Sequence, residues 1–268
     1  MTAVGRTPST GDGLVRSAPA LQGLVARSLL RLVRVPQLIM PVVVMPAFFI
    51  TAFSGSFDGV ARVEGFPTDD VVNWVAAFAI LQSCSFAGIG AASSMATDLE
   101  SRFIDRLLVA PVRPTLLLVA PLAQAVVRSL IPTTVVLSIA WAQGASMPGG
   151  LLGLAVVYLG GVSVAVIMGC LGLGVVLLIG NMRAMAIVQV VVFLLMFPST
   201  GQVPIELMDG WLASVAEINP ITPMLAMTRQ GFLGEVTWAE TWPGLAVTVG
   251  GLAVFGGFAR AQLRRLIG

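Results

Sequence analysis

The sequence contains no lysine and no histidine, so all 15 of its basic residues are arginine. Without lysine the chain has no Walker A loop, because the lysine of that loop contacts the nucleotide phosphates. Without histidine it has neither the Ser-His-Asp nor the Cys-His arrangement of nucleophilic catalysis, and zinc sites built on histidine are excluded as well. These absences argue against an ATPase and against common classes of hydrolase.

Charged residues are also scarce, at 10% of the 268 residues, whereas 57% are hydrophobic. Soluble globular domains contain about 25% charged residues, so the composition indicates a membrane protein. The two cysteines, Cys84 and Cys170, both lie inside apolar runs, where packing is the simplest interpretation. We expect no metal site and no cofactor in this chain.

Six apolar runs are candidates for membrane-spanning helices, since about 20 residues cross the hydrocarbon core of a bilayer. They cover residues 35–54, 71–96, 114–142, 151–179, 184–197 and 242–259. Pro41 and Pro46 predict a bend in the first run, and the fifth is short because it ends at Pro198. The predicted fold is an all-α membrane protein, with a single six-helix transmembrane domain at residues 35–260.

The placement of arginine predicts the orientation, because cytoplasmic loops are enriched in basic residues. With the N-terminus inside, Arg62 and Arg229 are the two arginines in outer segments, and Arg128 lies within the third span. The other twelve of the 15 arginines then fall in inner segments. We therefore predict that both termini are cytoplasmic.

Four segments flank or connect the predicted spans. Residues 1–13 are predicted to be a disordered tail and residues 261–268 a cytoplasmic tail, and no cleavable signal peptide is expected. In residues 14–34 leucines recur at helical spacing beside arginines, which favours an amphipathic helix in the cytoplasmic interface. The alternative is that these residues extend the first span into water. The stretch GWLASVAEINP, between the fifth and sixth spans, predicts a re-entrant or interfacial element on the outer side.

A charged stretch, ATDLESRFIDRLLVAPVR (96–113), separates the second and third spans. At 100° per residue it forms an amphipathic helix at residues 98–110, bounded by Pro111 and Pro114. Helices that lie on lipid are usually basic, whereas this polar face balances acids and arginines, so a cytoplasmic protein partner is favoured. Glu100 falls within the apolar arc and is expected to have a specific partner. The polar face carries Asp98, Arg102, Asp105 and Arg106.

This stretch resembles the coupling-helix motif of ABC-2 type transporter permeases. Arg102 stands where that family usually has glycine. The residues that match are Asp98, Glu100, Phe103, Ile104, Asp105, Leu107, Leu108, Pro111 and Val112.

A second stretch, residues 203–235, resembles the outer segment of the daunorubicin-resistance branch of the same family. Its sequence is VPIELMDGWLASVAEINPITPMLAMTRQGFLGE. The motif residues are Glu206, Trp211, Asn219, Pro220, Pro223 and Arg229.

The resemblance implies the membrane subunit of an ABC exporter for hydrophobic or amphipathic compounds, such as drugs or lipids. Two copies of a separate ATPase subunit would bind ATP and Mg, and a second permease copy, or a similar permease, would join through the first and fifth spans. The bilayer of the bacterial plasma membrane is the implied location, and no nucleic acid is expected. Contacts with the ATPase would come from Asp98, Glu100, Arg102, Phe103, Asp105, Arg106 and Leu107.

Arg128 lies near the middle of the third span, where a charge is costly and by default a functional candidate. A purely structural role is equally consistent with the sequence, because both roles need polar neighbours. The candidate neighbours are Gln82, Gln124 and Gln189.

Three other functions are weaker. A glycolipid or polysaccharide exporter would use the same machine, but one tyrosine and five tryptophans offer few aromatic rings for sugars. An ion-coupled carrier would need acids inside the spans, and the predicted spans contain none. A catalytic membrane enzyme would need a nucleophile–base pair or a metal site, which the sequence does not suggest.

Overall fold

The computed structural model describes residues 40–57, 66–68, 70–104 and 114–267, together with residues 23, 26 and 59. Within that part the chain is all-helical and has no strand, as predicted. The helices in chain order are α1 Met40–Phe57, α2 Val71–Glu100, α3 Leu116–Ala142, α4 Gly150–Ile179, α5 Ala184–Met196, a 3-10 helix Ile205–Leu207, α6 Trp211–Ile218, α7 Ile221–Leu233 and α8 Trp238–Ile267.

Four helices of the described part are long and apolar enough to cross a membrane, namely α2, α3, α4 and α8. The first three coincide with the predicted spans to within a few residues. The fourth, α8, is longer than predicted at both ends and includes most of the expected cytoplasmic tail. The other two predicted spans correspond to α1, with 18 residues, and α5, with 13. At 1.5 Å per residue these are about 27 and 20 Å long, and the count of six spans stays a prediction.

Several predictions lie outside the described residues. They are the tail at 1–13, the interfacial helix at 14–34 except for residues 23 and 26, and the start of the first span at 35–39. The same holds for Arg62 and for the second half of the charged stretch, which contains Asp105, Arg106 and Leu107.

Helix α4 lies at the centre of the bundle, in contact with α2, α3, α5, α7 and α8. Glycines stand where it crosses its neighbours, because small residues let helix backbones approach closely. A Cβ atom on Gly160 would lie only 2.1 Å from the hydroxyl of Thr228 on α7. A Cβ on Gly88 of α2 would lie 2.2 Å from the carbonyl oxygen of Ala165 on α4. The α2–α4 and α4–α7 pairs therefore tolerate no larger residue at these crossings.

The buried apolar residues of the described part form two hydrophobic clusters. The larger one surrounds the first half of α2, with Phe78, Ile80 and Leu81 fully buried. The smaller one joins the far end of α2 to the ends of α3, α4 and α8, through residues such as Ala96, Ile104, Leu117, Leu177 and Leu263. Hence α2 passes through both clusters, and its two ends, Val71 and Glu100, lie about 44 Å apart.

Candidate functional site

The charged stretch begins at the end of α2 rather than on a separate helix. The structure places Asp98 and Glu100 in the last turn of α2, because nothing before Ser101 interrupts the hydrogen bonding. The N–H of Ser101 still donates to Thr97 O at 3.0 Å, and the N–H of Arg102 donates to Leu99 O at 3.0 Å. The helix predicted at residues 98–110 is therefore corrected at its start: the break lies at residues 101–102, and residues 103–104 are helical again.

Arg102 produces this break by adopting the left-handed conformation, with φ of 54°. It is the one non-glycine residue of the described part with positive φ. Such a conformation costs a side-chain-bearing residue about 1–2 kcal/mol, and glycine adopts it freely. This gives a physical reason for the glycine that the coupling-helix motif usually has at this position.

Glu100 has a hydrogen-bond donor within the chain. Its exposed carboxylate accepts the backbone N–H of Met182 at 2.9 Å. Met182 belongs to the turn between α4 and α5, where Gly180 ends α4 with φ of 80° and Asn181 accepts the N–H of Arg183 at 2.9 Å. The carboxylate thus links the end of α2 to the start of α5.

The two residues after the break face different surroundings. Ile104 is 2% exposed and packs in the smaller hydrophobic cluster, against residues of the neighbouring helices. Phe103 is partly exposed, and Arg102 is exposed. Ile104 therefore fixes the segment to this chain, while Phe103 and Arg102 present surface to its surroundings.

Arg128 is buried on α3, at 7% exposure. Its guanidinium lies against α2 at Gly90, where a Cβ atom would fall 2.2 Å from Nη1. Gln124, one helical turn earlier, accepts a hydrogen bond from the hydroxyl of Ser94 at 3.4 Å. Of the three predicted glutamine neighbours, Gln124 is the one that shares the α2–α3 interface with this arginine.

The other two glutamines lie elsewhere. Gln82 is 1% exposed, and its amide has no hydrogen-bond partner within the residues that the structure describes. It stands one turn from Phe78 and one turn from Phe86, whose rings contact Phe197, just after α5, and Phe193 on α5. Gln189 lies on an exposed face of α5. The predicted intramembrane set is therefore not gathered into a single site.

The hydroxyl groups of α2 donate hydrogen bonds within their own helix. Ser83, Ser85 and Thr97 donate to carbonyl oxygens four residues earlier, at 2.5 to 3.1 Å. Such bonds satisfy a hydroxyl within its own helix. Asn73, in contrast, reaches the α3–α4 connection, where it exchanges two hydrogen bonds with Ser146.

The second stretch, residues 203–235, folds into the 3-10 helix, α6 and α7. Asn219 connects this unit to α5: its amide nitrogen donates to Leu195 O at 2.7 Å and Pro198 O at 2.8 Å. Its amide oxygen accepts the N–H of Ile221 at 2.8 Å and so caps the start of α7. One buried side chain therefore closes the end of α5 and begins α7.

Arg229 is buried in α7 at 4% exposure, although the sequence placed it in an outer segment. Its Nη2 donates to Thr200 O at 2.7 Å and Gly201 O at 3.4 Å, and its Nε donates to Trp74 O at 3.3 Å. The guanidinium also lies 3.5 Å from the centre of the Trp74 ring. Burial lowers the pKa of this guanidinium to about 9, which leaves it charged at neutral pH.

Helix α7 explains why this arginine is buried. It is too short to cross a bilayer, yet it packs against α2, α4 and α8 instead of lying on the surface.

The remaining motif residues are more open: Glu206, Trp211 and Pro220 are exposed, and Pro223 is partly exposed. Within the described ranges, no group of three or more acidic or cysteine side chains could hold a metal ion.

Comparison with known proteins finds relatives over most of the chain. The model of the family described as ABC-2 type transporter matches residues 19–233. The chain is 31% identical over 186 residues to the "Probable multidrug ABC transporter permease YbhR" of Escherichia coli K12. The aligned region covers 65% of this chain and 47% of that protein. It is 26% identical over 227 residues to the "Putative transport permease ycf38" of Pyropia yezoensis, or 82% of this chain and 76% of that protein. The chain thus spans about half the length of the multidrug permease that it matches.

Proposed function

The chain belongs to the ABC-2 type transporter family and is a membrane-embedded transport permease, and on that premise we propose that it is the membrane subunit of an ATP-binding-cassette exporter. A separate ATPase subunit supplies the energy. The exported compounds are hydrophobic or amphipathic, such as drugs or lipids. The Escherichia coli relative is named as a probable multidrug permease, which supports this substrate class. The motif at residues 203–235 supports the daunorubicin-resistance branch.

The observation that carries the proposal is the end of α2 at residues 100–104, which the proposal places on the cytoplasmic side. There the helix ends at a left-handed residue, Arg102, and the chain turns into a short segment held to the bundle by Ile104. Phe103 remains partly exposed beside it. A segment that is attached to α2 and carries a partly exposed aromatic side chain suits a partner with an apolar groove, in which such side chains carry most of the binding energy.

The same end of the molecule offers a route for motion. We call residues 101–104 the coupling segment. Because Glu100, just before it, accepts the N–H of Met182, a displacement of the coupling segment is transmitted to α5 as well as along α2. In this proposal the ATPase moves residues 101–104, and the carboxylate carries that movement to the α4–α5 turn. The permease therefore responds as a unit of two helices rather than one.

The assembly that we propose contains two permease chains and two ATPase subunits in the bacterial plasma membrane. Each permease chain offers one coupling segment, so two chains are needed for two ATPase subunits. The family resemblance favours α1 and α5 as the permease interface. Six spans with both termini cytoplasmic fit this arrangement, because they place the coupling segment on the side where ATP is available.

Purification of the tagged full chain from its native membrane tests the proposal. We expect vanadate-sensitive ATP hydrolysis to co-purify with the wild-type chain and to fall at least tenfold in yield for Phe103→Ala, since hot-spot truncation costs about 2 kcal/mol or more. The control is Val249→Ala, which trims an exposed apolar residue of α8. Wild-type chain that is folded but free of such activity contradicts the proposal, as does unchanged co-purification with Phe103→Ala.

A further inference from the structure

A cavity of about 470 Å³ opens between α7, the 3-10 helix and the start of α8. This volume lies in the range of small-molecule sites, roughly 300–1,000 Å³. Arg229 and Trp74, both buried, contribute to its lining, and three exposed acids line its mouth: Glu206, Glu235 and Glu240. A buried cation and an acidic mouth therefore share one cavity.

The buried side of the cavity offers hydrogen-bond donors without acceptors. Arg229 uses Nε and Nη2 for backbone carbonyls, whereas its Nη1 makes no hydrogen bond and no ion pair with any residue that the structure describes. The indole nitrogen of Trp74 is also buried and has no hydrogen-bond partner in that part of the chain. A buried donor without an acceptor costs about 1–3 kcal/mol. The guanidinium of Arg229, whose Nη1 is not committed to any residue of the described part, favours an acceptor group with negative charge.

The mouth of the cavity imposes the opposite requirement. Three carboxylates belong to its lining, and Arg229 is the one arginine among the lining residues that the structure describes. A ligand with only negative charge would be attracted by Arg229 and repelled by all three acids. A ligand with only positive charge would fit the mouth but would be repelled by Arg229 and would leave the indole nitrogen of Trp74 without an acceptor. A ligand that carries both charges satisfies both parts.

We propose that this cavity binds a zwitterionic head group, with its phosphate or carboxylate against Arg229 and Trp74 and its ammonium group among Glu206, Glu235 and Glu240. Arginine is well suited to such an anion, because its planar guanidinium forms short charge-assisted hydrogen bonds with phosphate and carboxylate oxygens. The walls include Ile205, Ala226 and Leu233, which suit an apolar chain attached to the head group. The site rests on the proposed outer placement of α7 but needs neither ATP hydrolysis nor transport.

Calorimetric titration of the purified full chain in an uncharged detergent tests this proposal. The probes are dihexanoyl phosphatidylethanolamine, dihexanoyl phosphatidylglycerol and free phosphoethanolamine. We expect the ethanolamine lipid to bind at least tenfold more tightly than the glycerol lipid, which lacks the ammonium group. Free phosphoethanolamine binding as tightly as the lipid supports the same chemistry and identifies a soluble source. Much weaker binding of free phosphoethanolamine identifies a lipid source.

Two sets of variants test the two parts of the cavity separately. Trp74→Phe keeps an aromatic ring beside Arg229 but removes the indole N–H, and it should weaken binding of the ethanolamine lipid about fivefold to tenfold. The triple variant Glu206→Gln, Glu235→Gln and Glu240→Gln should remove or reverse the preference between the two lipids. The matched control is Glu217→Gln on α6, an exposed acid outside the lining, which should change nothing.

A third variant guards against an effect on folding alone. Ala226→Trp fills the cavity from its wall and should abolish binding, while the elution volume and thermal unfolding of the chain stay as in the wild type. Equal binding of both lipids to the wild type overturns the proposal. So does a triple variant that keeps the wild-type preference, or a folded Ala226→Trp variant that binds normally. None of these results bears on ATPase co-purification, so failure here and failure of the proposed exporter are distinguishable.

Discussion

The two ends of the helix bundle are held in different ways. At the end that contains Arg229, two buried side chains, Arg229 and Asn219, donate to five backbone carbonyl oxygens. At the end that contains Glu100, an exposed carboxylate accepts one N–H across helices, and α2 ends at a strained Arg102. Buried hydrogen bonds are costly to break, whereas exposed ones exchange readily with water. Among the described residues, one end is thus held by buried hydrogen bonds and the other by an exposed one, and we infer from this a fixed end and an end that is able to move.

The largest effect that tests this contrast is expected from Arg229→Met. The substitution leaves the carbonyl oxygens of Trp74, Thr200 and Gly201 without their donor and removes the cation–π contact. We expect a loss of about 3 kcal/mol in stability, measured by thermal unfolding in detergent. Arg229→Lys should recover less than half, because a single ammonium group does not reproduce the planar fork. A melting temperature like that of the wild type for Arg229→Met would show that this end is not fixed by the arginine.

Asn219→Ala should have the next largest effect, about 2 kcal/mol. It removes the two donors to Leu195 and Pro198 and the cap on Ile221. Asn219→Asp is the second variant: it keeps an oxygen for the cap but turns its other carboxylate oxygen toward the carbonyl oxygens of Leu195 and Pro198. Because this contact is repulsive and the charge is buried, we expect unfolding to show the aspartate variant no more stable than the alanine variant. Equal stability of Ala and wild type would remove Asn219 from the fixed end.

Glu100→Ala tests the movable end, and its effect should appear in coupling rather than in stability. One exposed hydrogen bond contributes about 1 kcal/mol or less, so unfolding should change little. If Glu100 links α2 to the α4–α5 turn, the ATPase co-purifies as before, while the stimulation of ATP hydrolysis by transported compounds falls severalfold. Glu100→Gln keeps an oxygen that accepts the N–H of Met182 and should retain most of the stimulation. Loss of co-purification in Glu100→Ala would instead place the carboxylate at the ATPase interface.

The sequence alone predicted the long helices but not the side-chain partners that hold the two ends. Hydropathy was sufficient for α2, α3 and α4, because apolar runs bounded by polar residues leave little freedom for helices in a membrane. It could not place Arg229, whose acceptors include Trp74, 155 residues earlier in the chain. Nor could it find Met182 as the donor for Glu100, since the two residues are 82 positions apart and the donor is a backbone N–H. The sequence therefore assigns Arg229 to an outer segment without indicating that it is buried.

The boundary between α2 and the coupling segment shows a different limit. Helical periodicity predicted a helix that began at Asp98, because the pattern of apolar and charged residues continues through the break. Periodicity reports which side chains share a face, but it carries no information on a single residue with positive φ. The glycine expected from the family resemblance was the one signal that pointed to position 102.

The smallest effect, and the one of opposite sign, is expected from Arg102→Gly. Glycine adopts the left-handed conformation without the clash of a Cβ atom, so the variant should be more stable by about 1 kcal/mol. Arg102→Ala is the control, because it removes the charge but keeps the Cβ atom, and it should not be stabilised. Thermal unfolding measures both. A glycine variant that is no more stable than the alanine variant would mean that Arg102 is not strained. If glycine is stabilising and ATPase stimulation also falls, the strain at this residue favours movement of the coupling segment, as the contrast between the two ends requires.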